Sequence, residues 1–187
     1  IKYNDEDIIL SRTGYTGELG YEIYAKHSAI IDIWTDLIKL GVAPCGLAVR
    51  DVLRMEMKYC LYGNDINEET NPIEAGLGWI TSLDKDNLIG KDSILSYKNN
   101  INKKLISFIM LDRGIPRKGY SIYSNGNKIG EVTSGTQSPK LKSGIGLGYV
   151  DLKYFKIGTK IDIMIRNKPI KAEVVKPPFI NGTSLLK

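Results

Sequence analysis

Four segments of the chain gather residue types able to bind or act on a ligand. The first runs from Arg12 to Ile23, as Arg-Thr-Gly-Tyr-Thr-Gly-Glu-Leu-Gly-Tyr-Glu-Ile. Its three glycines at spacing three, Gly14, Gly17 and Gly20, let a backbone turn tightly and approach a ligand closely. No Gly-Lys-Ser/Thr and no helix start follows, so the segment is not a phosphate loop. Glu22 lies on the strand after the loop, on the face opposite Tyr21 and Ile23, where a glutamate either meets water or pairs with a specific donor. A surface glutamate is the ordinary outcome. The second segment, Pro44 to Glu56, sets Arg50 beside Asp51 early in a helix. Alone, such a pair is a surface ion pair worth well under ~1 kcal/mol. Cys60 to Ile66 follows as the third. The fourth, Gly130 to Pro139, is rich in hydroxyls and reads most simply as a hairpin loop.

Several chemistries are excluded. The single histidine, His27, rules out a His-based metal cluster or a Ser-His-Asp triad within this chain, and no metal site is expected. Cys45 and Cys60 are not spaced as a metal motif or a secreted disulfide framework, and neither has an evident activating base, so both read as reduced, mostly buried thiols. No serine has a partner base, and no carboxylate pair comes with sugar-stacking aromatics. The longest apolar run, Leu105 to Leu111, is strand-sized and broken by Ser107, so no segment spans a membrane. Ile1 and the acidic residues after it make neither a signal nor a transit peptide; the start reads as a cut inside a longer protein.

Charge divides the chain. Residues 1–95 carry 9 basic and 16 acidic residues, a balance of −7; residues 96–187 carry 17 and 5, a balance of +12, and the two sum to the net +5. Such asymmetry points to surfaces with different partners. The lysines are scattered between strands rather than clustered with aromatics, which argues against nucleic acid.

The elements that must hold these segments follow from periodicity. Ile8–Leu10 and Tyr21–Tyr24 read as strands around the glycine loop. Ser28 is placed to cap a helix with Ile30, Ile33, Trp34, Leu37 and Ile38 on one buried face, stopped at Gly41. A second helix spans Leu47 to Lys58, with Val49, Val52, Leu53 and Met57 along one side. Beyond a boundary near Tyr97–Lys103 the chain is strand and turn. Leu105–Leu111 is a buried strand, and Tyr120–Ser124 and Lys128–Thr133 flank Asn125-Gly126, a hairpin signal. Ile161, Ile163 and Ile165, then Ile170, Ala172 and Val174, alternate as in half-buried strands. The expectation is an α+β fold: a mixed α/β domain over residues 1–97, then a small antiparallel β-barrel over residues 98–187.

The four segments in order, together with Pro-Ile-Glu-Ala-Gly-Leu-Gly-Trp (72–79), Ile-Gly-Lys (89–91), Val-Thr-Ser-Gly-x-x-Ser-Pro-x-Leu (132–141) and Leu-Gly-Tyr-Val (147–150), resemble the T-protein family of the glycine cleavage system over nearly the whole chain. Folate enzymes that oxidise dimethylglycine or sarcosine share the scaffold, but Leu61–Ile66 is closer to the T protein. The Lys-Gly-Cys-Tyr-x-Gly-Gln-Glu motif of folate-dependent iron–sulfur maintenance proteins is absent.

The resemblance implies an aminomethyltransferase whose fold has three parts, of which this chain supplies the folate-binding middle domain and the terminal barrel. The implied reaction moves an aminomethyl carbon from the lipoyl arm of the H protein to tetrahydrofolate. It yields 5,10-methylenetetrahydrofolate and ammonia, in bacterial cytoplasm or mitochondrial matrix. By resemblance Tyr15, Glu22 and Arg50 contact folate, and Arg117, in Gly114-Ile115-Pro116-Arg117, stands at the mouth of the lipoyl channel. A carboxylate can accept both N–H donors of a pterin edge, which suits Glu22; Arg50 either binds the folate tail or orients acidic groups near the pterin. Trp79 is a core residue or a pterin wall. Thr183 replaces a ligand-contacting tyrosine of some members. The family's catalytic aspartate belongs to the N-terminal third, so no catalytic residue is assigned and the chain alone is expected to be inactive. The rival readings are a dimethylglycine- or sarcosine-type folate domain and a non-enzymatic regulatory module.

Overall fold

The computed structural model describes residues 1–185. The chain forms two compact units, Ile1–Arg54 with the chain from Asn181 onward, and Met55–Ile180.

The first unit holds two short antiparallel ribbons and a helix. β1 (Lys2–Tyr3) pairs with β2 (Glu6–Asp7) across Asn4 and Asp5, both at positive φ (47° and 65°), a type I′ turn whose twist suits a hairpin. β3 (Ile9–Ser11) pairs with β4 (Glu22–Tyr24) in the register Ile9↔Tyr24, Leu10↔Ile23 and Ser11↔Glu22. α1 spans His27–Lys39. It starts one residue before Ser28, after Lys26, with no side-chain cap. It ends as expected at Gly41, where Gly41 N–H donates to Ile38 O (2.9 Å) and Val42 N–H to Leu37 O (3.0 Å), a Schellman closure that needs the positive φ of Gly41 (86°). The expected buried face is only partly realised: Ala29 and Ile33 are buried, while Trp34 is 57% and Ile38 40% exposed.

α2 spans Leu47–Glu56. Burial grades along its length rather than around it. Residues 47–50 are exposed, 51–53 half-buried and 54–56 buried, so Val49 lies in water while Arg54 is enclosed.

The second unit is built on a closed barrel. After α3 (Lys91–Lys98) come β5 (Lys103–Met110), β6 (Ser121–Ser124), β7 (Asn127–Ser138), β8 (Ser143–Asp151), β9 (Lys160–Ile165) and β10 (Lys168–Val175), ordered β10-β5-β8-β7-β6-β9 and antiparallel throughout. The α+β class with a C-terminal antiparallel barrel is therefore as the sequence led us to expect. Asn125 and Gly126 (φ 49° and 79°) make the anticipated turn between β6 and β7. The segment Gly130–Pro139, read as a loop, instead lies mostly within β7, the longest strand. Phe108, Ile122, Val132, Ile161, Ile163 and Val174 fill the interior. A smaller cluster of Met55, Leu105, Ile145 and Leu147 packs outside β5 and β8.

Two readings of side-chain environment are corrected. Trp79 is not a core residue, being 83% exposed in the 3₁₀ turn Gly78–Ile80. Cys45 is exposed and Cys60 half-buried, so neither is enclosed.

Candidate functional site

The glycine loop between β3 and β4 is closed by its own first residue, since the Arg12 guanidinium donates from Nη1 to Gly20 O at 3.0 Å and lies 4.7 Å from the Tyr21 ring centroid. Of its three glycines only Gly17 takes a positive φ (77°), the conformation that excludes most side chains. On the far side of the loop, Ser184 N–H donates to Glu18 Oε2 (2.8 Å) and Leu19 N–H donates to Ser184 Oγ (2.8 Å). The loop is thus pinned at both ends.

Two functional candidates meet this loop. Glu22 stands opposite Ser11 in the ribbon register and is half-buried. The Thr13 hydroxyl donates to Glu22 Oε2 and is itself hydrogen-bonded to the Ser11 hydroxyl at 2.9 Å. Glu22 Oε1 accepts no hydrogen bond among the described residues. Arg50, in the exposed first turn of α2, places its guanidinium over the Tyr15 ring at 4.3 Å from the centroid. That contact holds a planar, always-charged group against an aromatic face without using its N–H donors. Asp51 does not pair with Arg50; it takes Arg54, at 2.7 Å to Nη2. The loop therefore touches a carboxylate through Thr13 and a guanidinium through Tyr15, two residues apart. The partners Ser11 and Thr13 were not foreseen, although antiparallel pairing of the two expected strands sets Ser11 against Glu22.

The third and fourth segments meet in the second unit, at Asp65. Its Oδ1 accepts from Thr133 Oγ1 (2.5 Å), and its Oδ2 from Ser134 Oγ (3.0 Å) and Leu61 N–H (2.9 Å), while Tyr149 Oη donates to its backbone carbonyl at 2.9 Å. Asp65 is wholly buried. A carboxylate so fully engaged anchors the Leu61–Ile66 turn to β7 and β8 and is not free for proton transfer. Burial first, and then the neighbouring Glu74, Cys60 and Asp65, push the Tyr149 phenol above its ordinary range, so it stays neutral and keeps donating. Lys118 Nζ holds the turn's tip through Gly63 O (2.7 Å) and Asn64 Oδ1 (2.8 Å). Glu56 likewise accepts from Ser138 Oγ at 2.5 Å.

Arg117, the remaining site candidate, is exposed between β5 and β6 and donates from Nη1 to Gly135 O at 3.2 Å. Nearby, Met110–Ile115, Gln137, Lys142–Gly144 and Arg166 line a cleft of about 910 Å³ with three cations, Arg113, Lys142 and Arg166, against Asp112. Thr183 is buried, with no partner for its hydroxyl among the described residues. No group of three or more His, Cys, Asp or Glu able to hold a metal occurs among the described residues, and no helix there is long and apolar enough to cross a membrane.

Comparison with known proteins gives a consistent result. Residues 1–85 match the GCVT N-terminal domain, and residues 103–181 match the glycine cleavage T-protein C-terminal barrel domain. An aminomethyltransferase of Halothermothrix orenii is 51% identical over 179 residues, covering 93% of this chain and 50% of that protein. One from Thermoanaerobacter pseudethanolicus is 44% identical over 184 residues, covering 96% and 50%. The crystal structure of the glycine cleavage system aminomethyltransferase T from Bartonella henselae superposes with a TM-score of 0.85 at 33% identity, over 93% of this chain and 50% of that one. The chain thus spans about half the length of the relatives it matches. With two domain models of one family along the chain, and a solved member sharing its fold, the chain belongs to the glycine cleavage T-protein (aminomethyltransferase) family.

Proposed function

We propose that the chain is the folate-binding and barrel part of an aminomethyltransferase that passes the aminomethyl carbon of the lipoyl H protein to tetrahydrofolate. The products are 5,10-methylenetetrahydrofolate, ammonia and the dihydrolipoyl H protein. The observation that carries the reading is the loop Ser11–Gly20, which holds a half-buried carboxylate and an exposed guanidinium from either side.

The donor set fits a reduced pterin. Glu22 has one oxygen fixed by Thr13 and the other open, so it can accept an N–H without losing its support. Tyr15 offers a ring already holding a cation, and Arg50 keeps its donors for a carboxylate or a second acid. Tetrahydrofolate supplies the nitrogen atoms that receive the one-carbon unit; Tyr15, Glu22 and Arg50 bind and orient it. Arg117 lies in the other unit and is proposed, by family resemblance, as a contact for the lipoyl-borne group. No carboxylate of this chain is assigned the proton-transfer role, because a general acid or base must reach the proton it moves, and Asp65 and Glu56 are committed to structural bonds.

Calorimetric titration of tetrahydrofolate into the wild type and Glu22→Ala tests the site. Loss of a charge-assisted hydrogen bond should weaken binding by roughly 10-fold or more; equal affinity removes Glu22 from the site. The 187-residue chain, mixed with aminomethyl-loaded H protein and tetrahydrofolate, should show no rate above background. Measurable turnover would refute the assignment of proton transfer to residues outside this chain.

A further inference from the structure

The glycine loop has little regular structure to hold it. It leaves β3 at Ser11 and returns at Glu22, and Ser11↔Glu22 is the last pair of the ribbon. Its three glycines add conformational freedom that must be lost whenever the loop is held in one shape. Inside the loop, Arg12 Nη1 donates to Gly20 O at 3.0 Å and Glu18 N–H to Thr16 Oγ1 at 3.3 Å. Yet the loop carries both Thr13, which bonds Glu22, and Tyr15, which holds Arg50.

Further order comes from one residue 165 positions beyond Leu19 in the chain. Ser184 N–H donates to Glu18 Oε2 at 2.8 Å, and the Ser184 hydroxyl donates to the same oxygen. That hydroxyl also accepts Leu19 N–H at 2.8 Å. A serine hydroxyl offers one donor and two lone pairs, so a single Oγ can fill both roles. Two of the three bonds end on a carboxylate and are of the stronger, charge-assisted kind. Gly17, at φ 77°, makes the turn immediately before the clasped pair. Leu185 then lines a small recess together with Arg12, Thr13 and Gly20. The segment that carries Ser184 therefore also borders the residue that bonds Glu22. All of these residues belong to the first unit.

We propose that Ser184 is a positioning residue. By clasping Glu18 and Leu19 it holds the glycine loop, and through Thr13 the Glu22 carboxylate, in the binding arrangement before a ligand arrives. The proposal rests on the folate reading above for what the loop binds, and on these bonds for what holds the loop. Preorganisation raises affinity by removing an ordering cost from the binding step. Alanine at position 184 keeps the N–H bond but withdraws the hydroxyl from both Glu18 and Leu19. Threonine presents the same hydroxyl at the same place.

The test uses the 187-residue chain as wild type, Ser184→Ala and Ser184→Thr, each with Glu22 intact and as Glu22→Ala. Without ligand, amide exchange at Thr16–Gly20 should quicken by about 10-fold in Ser184→Ala, with α1 unchanged, and return to the wild-type rate in Ser184→Thr. Calorimetric titration with tetrahydrofolate should show binding weakened roughly 5-fold or more by Ser184→Ala and restored by Ser184→Thr. On the Glu22→Ala background the same alanine should weaken binding by less, because its effect travels through Glu22. Unchanged exchange in Ser184→Ala would overturn the clasp. A loosened loop with wild-type folate affinity, or an undiminished loss on the Glu22→Ala background, would overturn the positioning role. A wild type that binds no tetrahydrofolate, with exchange still governed by Ser184, would sink the folate reading and support the clasp.

Discussion

Ionisable side chains in this protein fall into two kinds, those whose bonds are spent on the fold and those with capacity left over. Asp65 is of the first kind. Asp65→Ala strips Thr133, Ser134 and the Leu61 N–H of their acceptor inside the second unit, and should cost on the order of 3 kcal/mol in chemical unfolding. Tyr3 and Asp36 form a pair with a pH signature. The Tyr3 hydroxyl donates to Asp36 Oδ2 at 2.5 Å, and Lys39 Nζ reaches Oδ1 at 2.9 Å. The Tyr3 hydroxyl first, then Lys39, hold the Asp36 carboxyl below its ordinary 3.8, and the hydrogen bond to Asp36 lifts Tyr3 above 10.0. A lowered carboxyl stabilises above its unfolded value and loses that contribution as pH falls through the lowered one. A raised phenol stabilises below 10.0 and loses its contribution as pH climbs through the raised value. The amide-exchange protection factors of β1 and β2, each rate taken relative to the unstructured rate at the same pH, should therefore be flat near neutral pH and fall at both extremes, and Tyr3→Phe should flatten both limbs. Glu22 was singled out in the sequence because it follows a glycine loop. Its hydrogen-bond partner was not, because Thr13 has no signature of its own until the strand register is known.

Among the elements, β8 shows most clearly what local pattern misses. Its Ser-Gly-Ile-Gly-Leu-Gly run carries a glycine at every second position, and glycine ordinarily argues against a strand. Inside a six-stranded barrel the argument reverses. A Cβ on Gly146 would sit 2.2 Å from the Phe108 ring, directly across the β5–β8 register, and one on Gly148 would meet the Glu131 carbonyl at 2.6 Å. The interior is so narrow that one aromatic ring fills the space vacated by glycines on the neighbouring strand. Gly146→Ala should thus destabilise by about 1–3 kcal/mol through overpacking, and Phe108→Ala by about 3–5 kcal/mol through a cavity. Combined, they should cost less than their sum, since each relieves the other; thermal unfolding of the three variants measures the coupling. The strands built of alternating apolar residues, β9 and β10, are legible because their period-two pattern depends on nothing outside themselves. β8 is not, because its logic resides in Phe108. α2 forms where the sequence led us to expect it, but its burial changes along the axis, which a search for one apolar side cannot register.

At the scale of the molecule, charge and connectivity dominate. The basic balance of residues 96–187 lies largely on the barrel, where Lys140, Lys142, Lys153 and Lys156 are all exposed. If the barrel receives an acidic H protein, reversing all four to glutamate should weaken that complex by roughly 10-fold or more at low ionic strength, with the difference shrinking as salt screens it. Unchanged affinity in low salt would remove the barrel's lysines from docking. The order of strands carries a separate consequence. β10, the last strand, lies beside β5, the first, with Val175 opposite Ser107. The start of β5 at Lys103 is four residues from that pairing, about 13 Å along an extended strand. A short linker can therefore join the ends of the ring, and the chain can be reopened at the exposed Asn125-Gly126 turn without breaking a single ladder. Circularly permuted in this way, the barrel should keep its strand pairing, making it a detachable cassette whose entry point evolution or a designer is free to move.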